Sequence, residues 1–158
     1  SYSPVSGKRV LIITDGGGIG ISIADACEDA GLEVPGLPPE AVSKLKGSLP
    51  AFAAVRNPMD LTGNVRDEHY LAALREAFGD GYDIAIVSLL WGPPLLSEGV
   101  AEKIKEFAEN SGKPVIICSP GGKFPRKMTL AFTANGIPVF FSPESAVRAA
   151  AVLCGRKK

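Results

Sequence analysis

Three short runs dominated by apolar residues, Arg9-Val10-Leu11-Ile12-Ile13-Thr14, Ile84 to Leu90 and Val115-Ile116-Ile117-Cys118, constrain the fold most. A strand with one wet face alternates apolar and polar side chains, whereas these runs are apolar at consecutive positions. They read as parallel strands covered on both faces. Weaker strands are predicted at Leu32 to Val34, Phe52 to Val55 and Val139 to Phe141. Between them the spacing predicts helices over Gly20–Ala30, Pro39–Lys46, Asp67–Phe78, Ser97–Asn110, Pro125–Asn135 and Pro143–Leu153. Ser142 before Pro143-Glu144 marks a helix start, and Gly31, Gly112 and Gly136 fall just past helix ends. Strands alternating with helices predict a doubly wound, mostly parallel α/β sheet with helices on both faces.

No linker divides the 158 residues, so a single domain is expected over residues 8–155, with an N-terminal extension at 1–7 and a basic tail at 156–158. A chain of this size buries roughly 70% of its unfolded surface. Seventeen basic and seventeen acidic residues cancel, which gives no reason to expect nucleic acid or a membrane surface as partner. Neither a signal peptide nor a membrane-length apolar run is visible. Cys27, Cys118 and Cys154 lie in apolar contexts, so buried free thiols and a reducing, cytoplasmic compartment are expected. The ragged start at Ser1 suggests a processed chain or a domain of a longer protein.

In doubly wound folds ligands bind beyond the carboxyl ends of the strands. The loops to read are therefore Asp15–Gly20, Arg56–Arg66, Trp91–Leu96 and Pro120–Arg126. The first carries Gly16-Gly17-Gly18-Ile19-Gly20. It fails the dinucleotide pattern, because the third glycine position falls on Ile21 or Ile23, and no Gly-Lys-Ser/Thr follows for a nucleotide triphosphate. What remains is a helix N-terminus whose free N–H groups at Gly17, Gly18, Ile19 and Gly20 suit a single phosphate or carboxylate. A tight turn with strand and helix packed too closely for side chains is the competing reading.

In the second loop, Pro58 holds Asn57 extended. Asn57 and Asp60 are then short polar groups near a strand end, placed to bind a ligand or to cap neighbouring turns. Trp91 and Gly92 close the longest apolar strand; Trp91 is placed to line a pocket or merely to cover the sheet edge. Lys123 and Arg126 read as a solvated basic turn, and His69 as an exposed histidine without a partner. No Ser/His/Asp set, catalytic carboxylate pair or metal-spaced cluster can be assembled, so no catalytic or metal-ligating residue is expected.

Taken in order, Arg9-Val-Leu-Ile-Ile-Thr-Asp-Gly-Gly-Gly-Ile-Gly, Ala24-Asp25-Ala26, Ala30-Gly31-Leu32, Asn57-Pro58-Met59-Asp60-Leu61-Thr62-Gly63 and Ser142-Pro143-Glu144 resemble one family. It is the NDP-forming acyl-CoA synthetases, which include ADP-forming acetyl-CoA synthetase and are related to succinyl-CoA synthetase. The resemblance covers nearly the whole chain but one domain of those enzymes, the second flavodoxin-like domain. It implies a flavodoxin-like three-layer sandwich.

Members of this family interconvert acyl-CoA, ADP and phosphate with acid, CoA and ATP, passing a phosphoryl group through a histidine. The resemblance implies that the helix opening at Gly18 to Gly20 is one of two that point at this phosphohistidine, with Gly17, Gly18, Ile19 and Gly20 as the phosphate-binding candidates; Asn57, Asp60, Trp91 and Gly92 stay the candidates to border the substrate. The family's Ser-His-Thr-Gly-type segment is absent, and Gly92-Pro93-Pro94 stands where succinyl-CoA synthetase has a Gly-Gly turn. CoA, ADP or ATP and Mg would be bound by the CoA-binding, phosphohistidine and ATP-grasp domains or subunits, none of them by this domain. The isolated chain is expected to be silent. Two alternatives stay open: a ligand-sensing domain, as in protein acetyltransferases with a synthetase-like region, and a flavodoxin-like FMN carrier, disfavoured because its Ser/Thr-rich phosphate loop is missing.

Overall fold

The computed structural model describes residues 5–90, 96–120 and 126–155. The apolar runs form the centre of one parallel sheet. Its strands are β1 (Val10–Thr14), β2 (Met59–Asp60), β3 (Ile84–Ser88), β4 (Val115–Cys118) and β5 (Val139–Phe140), in the order β2-β1-β3-β4-β5. Every residue of β1, β3 and β4 is buried, which explains the unbroken apolar runs. The helices are α1 (Gly17–Asp29), α2 (Pro39–Ser48), α3 (Asp67–Ala77), α4 (Val100–Ser111), α5 (Arg126–Ala134) and α6 (Pro143–Gly155). Leu11 and Ile13 point into a core shared with α2, α3, α4 and α5, while Val10 and Ile12 point into one shared with α1 and α6. The result is the three-layer, flavodoxin-like sandwich expected.

Helix ends follow the expected chemistry. Gly31, Gly112 and Gly136 take φ of 70°, 66° and 73°, the left-handed conformation that ends a helix without a Cβ penalty. The Ser142 hydroxyl accepts the Ser145 N–H at 3.2 Å where α6 begins. At the opposite edge, Arg9 donates to Asp83 through its side chain at 2.9 and 3.0 Å and its backbone N–H at 3.0 Å, tying the entry of β1 to that of β3.

Of the weaker strand expectations, Val139 to Phe141 is met by β5 (Val139–Phe140), and the other two need correction. Leu32 to Val34 contributes a single parallel bridge, Arg9 to Glu33, and Phe52 to Val55 a single antiparallel bridge, Ala54 to Asp60. The strand beside β1 is instead Met59–Asp60, paired through Ile13 and Thr14, inside the stretch read from sequence as a loop. Two residues are too few to show a period.

Such a short neighbour leaves most of the outer edge of β1 to be satisfied by other means. The Val10 N–H donates to the Glu33 carbonyl at 2.7 Å. The Ile12 N–H donates to Asn57 Oδ1 at 2.9 Å, and Asn57 Nδ2 donates to the Val10 carbonyl at 2.9 Å and to the Pro35 carbonyl at 2.9 Å. The Leu61 N–H then reaches the Thr14 carbonyl at 2.7 Å. One carboxamide thus does the work of a missing strand residue. The Asn57–Pro58 peptide bond is cis.

Removing that amide orphans a buried N–H and a buried carbonyl, each costing about 1–3 kcal/mol when left unpaired. Asn57→Ala is therefore expected to lower unfolding free energy by about 2–6 kcal/mol, read as a lower midpoint in urea. An unchanged midpoint would show that water or a neighbouring group takes over both bonds.

Candidate functional site

The strand order reverses between β1 and β3, so the crevice beyond their carboxyl ends is where a doubly wound sheet places a ligand. Thr14 closes β1 and folds the chain back: its hydroxyl accepts the Gly16 N–H and donates to the Gly16 carbonyl, both at 3.0 Å. Gly16 then caps α1 in an extended conformation (φ −149°, ψ 110°) without a side-chain cap, and no acidic residue lies in the first turn.

The glycines are there for different reasons. A Cβ on Gly20 would lie 2.9 Å from Thr14 Cγ2 and 3.3 Å from Pro58 Cβ, so α1 packs onto the sheet too closely for alanine. On Gly16 it would meet Leu90 Cδ1 at 2.5 Å, and on Gly17 the Asp60 Oδ2 at 2.7 Å. On Gly18 it would meet nothing within 4 Å. The close-packing reading therefore holds for Gly20 but not for Gly18, which opens onto free space.

The free donors are also fewer than expected. The Ile19 and Gly20 N–H groups both bond the Gly16 carbonyl, at 3.1 and 3.2 Å. Among the described residues, the N–H groups of Gly17 and Gly18 have no such partner. Asp60 faces this turn. Its Oδ1 accepts the Thr62 N–H at 2.9 Å, and Thr62 adopts φ 66° to deliver it, an uncommon conformation for a β-branched residue. Asn57 does not join Asp60 here, because its carboxamide is committed beside Ile12. Trp91 and Gly92 lie outside the described residues, as does Lys123.

Sequence reasoning missed two carboxylates at this edge. Asp15 is 6% exposed and accepts the Leu90 N–H at 3.0 and 3.3 Å. Burial pushes its pKa up to about 6; the Leu90 N–H, its own backbone N–H and the Tyr70 hydroxyl pull it back, and the Asp60 charge adds to the rise. Asp67, at the start of α3, accepts the Ser97 N–H at 2.8 Å, the Ser97 hydroxyl at 2.5 Å and Lys103 Nζ at 3.0 Å. Burial opposes its ionisation, but the Ser97 and Lys103 contacts outweigh this and hold its pKa below the ordinary value. A lone Asp before a glycine run, and another at a helix start, carried no signal distinguishing them from turn and cap residues.

Other expectations also change. His69 is half-buried, and its Nδ1 accepts the Arg66 N–H at 3.1 Å, closing the first turn of α3. Cys27 and Cys118 are buried free thiols that burial holds near pKa 12, whereas Cys154 is half-buried. Among the described residues no group of three His, Cys, Asp or Glu side chains is placed to hold a metal ion. No described helix is long and apolar enough to cross a membrane.

Fold and edge together define a flavodoxin-like α/β domain with a glycine-capped helix at its topological switch point. A family model described as a Ligase-CoA domain matches residues 10–156, and the chain belongs to that family. The alpha subunit of ADP-forming acetate–CoA ligase II of Pyrococcus furiosus is 32% identical over 159 residues, 96% of this chain and 34% of the relative. The alpha subunit of ligase I from the same organism is 33% identical over 156 residues, 93% of this chain and 32% of the relative. Among solved structures, the apo dinucleotide-forming acetyl-coenzyme A synthetase 1 of Ca. Korarchaeum cryptofilum matches with a TM-score of 0.83 at 26% identity, over 96% of this chain and 34% of that one. That synthetase has also been solved with phosphate and ADP. The chain spans about a third of the length of these relatives.

The Asp15 shift has a thermodynamic consequence. Its pKa in the fold, about 6, lies above the ordinary 3.8, so the folded state holds a proton more tightly between those values. Stability falls as pH rises through that window, and the full cost of the ionised group is present above it. Asp15→Asn keeps an acceptor for Leu90 without the charge. It is expected to gain about 2–3 kcal/mol over wild type at neutral pH, with the gain vanishing below pH 3.8. Paired urea titrations across pH check this; a difference independent of pH would remove the buried charge as its cause.

Proposed function

We propose that this chain serves as the Ligase-CoA domain of an ADP-forming acyl-CoA synthetase, where the N-terminus of α1 stabilises a phosphorylated histidine presented by a neighbouring domain or subunit. The observation that carries this reading is the pair of N–H groups at Gly17 and Gly18 without a partner among the described residues, with open space above Gly18. A helix N-terminus favours an anion by about 0.3–1 kcal/mol when exposed and up to about 2 when partly buried. A glycine at an open helical position has no packing reason to be bare, whereas close approach of a phosphoryl group supplies one.

Asp60 Oδ2 beside Gly17 makes the site selective. In the free domain that carboxylate offsets the positive end of α1, and an arriving phosphoryl group must bind more strongly than it does. Asp60 borders the site, while Asn57 maintains the sheet edge that carries it. CoA, ADP or ATP and Mg belong to the CoA-binding and ATP-grasp parts of the synthetase, which would act in the cytoplasm on an acyl-CoA, ADP and phosphate. Turnover is a property of the assembled enzyme.

Gly18→Val in the assembled synthetase is the test. A Cβ added at Gly18 meets nothing within 4 Å, and Gly18 has no positive φ, so the melting temperature is expected to hold. The side chain would obstruct approach to the Gly17 and Gly18 N–H groups, and phosphohistidine formation and turnover are expected to fall about a hundredfold to a thousandfold, as when a well-aimed donor is lost. A folded variant with wild-type phosphorylation would end the phosphoryl-cradle reading.

A further inference from the structure

We propose that Asp15 is a positioning residue, whose carboxylate fixes the start of the β3–α4 connection against the glycine turn so that both sides of the crevice are held as one piece. Its consequence for a ligand rests on the anion reading of that turn; the clamp itself rests on geometry alone.

Leu90 is held twice. Its N–H is bonded by both oxygens of Asp15, and its side chain lies where Gly16 has no Cβ. Asp15 and Gly16 are the two residues between the end of β1 and the first residue of α1. Anything that moves Leu90 therefore moves the cap of α1, and with it the free N–H groups of Gly17 and Gly18. The far end of the same connection is held in like manner, by Asp67 on the N–H and hydroxyl of Ser97. Two buried carboxylates, one before α1 and one opening α3, thus anchor both ends of the segment that follows β3.

The two anchors differ in what compensates them. Asp67 has Lys103 at 3.0 Å. The groups that interact with Asp15 are the Leu90 N–H, its own backbone N–H, the Tyr70 hydroxyl from α3 and the Asp60 carboxylate from β2. Tyr70 Oη donates its one proton to the Ser88 carbonyl at 2.9 Å, which fixes the phenol against β3 beside the carboxylate. A carboxylate that only filled space would not sit 6% exposed against a second negative charge. Protonation weakens it as an acceptor, so the hold on Leu90 loosens as pH falls through about 6.

The test uses the whole chain, labelled with ¹⁵N. The Leu90 amide signal is followed between about pH 5 and 8, a window centred near the Asp15 pKa of about 6. The wild-type signal is expected to titrate with that midpoint, and the Asp15→Asn signal to stay fixed. Inorganic phosphate is then added at constant pH while the Gly17 and Gly18 amides are read. Asp15→Asn, which keeps a neutral and weaker acceptor, is expected to respond between wild type and Asp15→Ala, and Asp15→Ala about tenfold more weakly than wild type, the loss of a hydrogen bond to a charged group.

A wild-type Leu90 signal that does not titrate overturns the proposal, and that readout needs no variant to fold. A folded Asp15→Ala that responds to phosphate as wild type does also overturns it. A titrating Leu90 with no phosphate response in any form supports the clamp and overturns the anion reading of the turn.

Discussion

The outer edge of β1 is the constraint on which the rest of this domain depends. β1 sits next to the sheet's edge, its residues are fully buried, and its neighbour β2 is two residues long. A buried strand with unpaired N–H and C=O groups is not a stable structure. The chain completes the edge from three separate pieces: the Glu33 bridge, the Asn57 carboxamide and Met59–Asp60. This patchwork pairs the outer edge of β1, and Thr14 at its end becomes a fixed point from which the glycine turn can be built. Asn57 also bonds the Pro35 carbonyl, and Tyr82 Oη donates to the Pro35 and Gly36 carbonyls at 3.0 Å. The segment before α2 is thereby tied to the same edge.

At the carboxyl end the chemistry is an opposition between a helix dipole and carboxylates. α1 begins without a capping side chain and without an acidic first turn, an arrangement that costs a lone helix stability. Asp60 supplies the missing negative charge from a different element, and its own free oxygen is held by the αL turn at Thr62. Asp15 is directed the other way, toward Leu90. The two carboxylates raise each other's energy, and the fold keeps both. Such local conflicts gather where a sequence answers to something besides stability.

Much of this architecture was legible in the sequence. The runs Val10–Thr14, Ile84–Ser88 and Val115–Cys118 announce buried parallel strands because every position faces a core. Each helix was legible within a few residues, since periodicity, Ser142 and the glycines at 31, 112 and 136 act locally. β2 was not, because a two-residue strand is defined by its partner and not by its own pattern. The site was legible only in part. The glycine run signalled a helix start near an anion-competent turn, but which N–H groups stay free depends on where the Gly16 carbonyl points. Asn57 has the residue type of a ligand-binding group and is instead consumed by backbone. Asp15 and Asp67 act through contacts 75 and 30 residues away in the chain, which spacing does not encode.

The seating of α1 has one more consequence. Because Gly20 brings the helix to within contact of Thr14 Cγ2 and Pro58 Cβ, there is no slack for α1 to roll or slide along β1. The field at its N-terminus is therefore set during folding, its direction fixed by steric contact between backbone, a β-branched side chain and a ring. On the anion reading of this turn, its dipoles need not turn to receive the charge. The reorganisation that water would have to undergo around the same charge is, for these two amides, already complete.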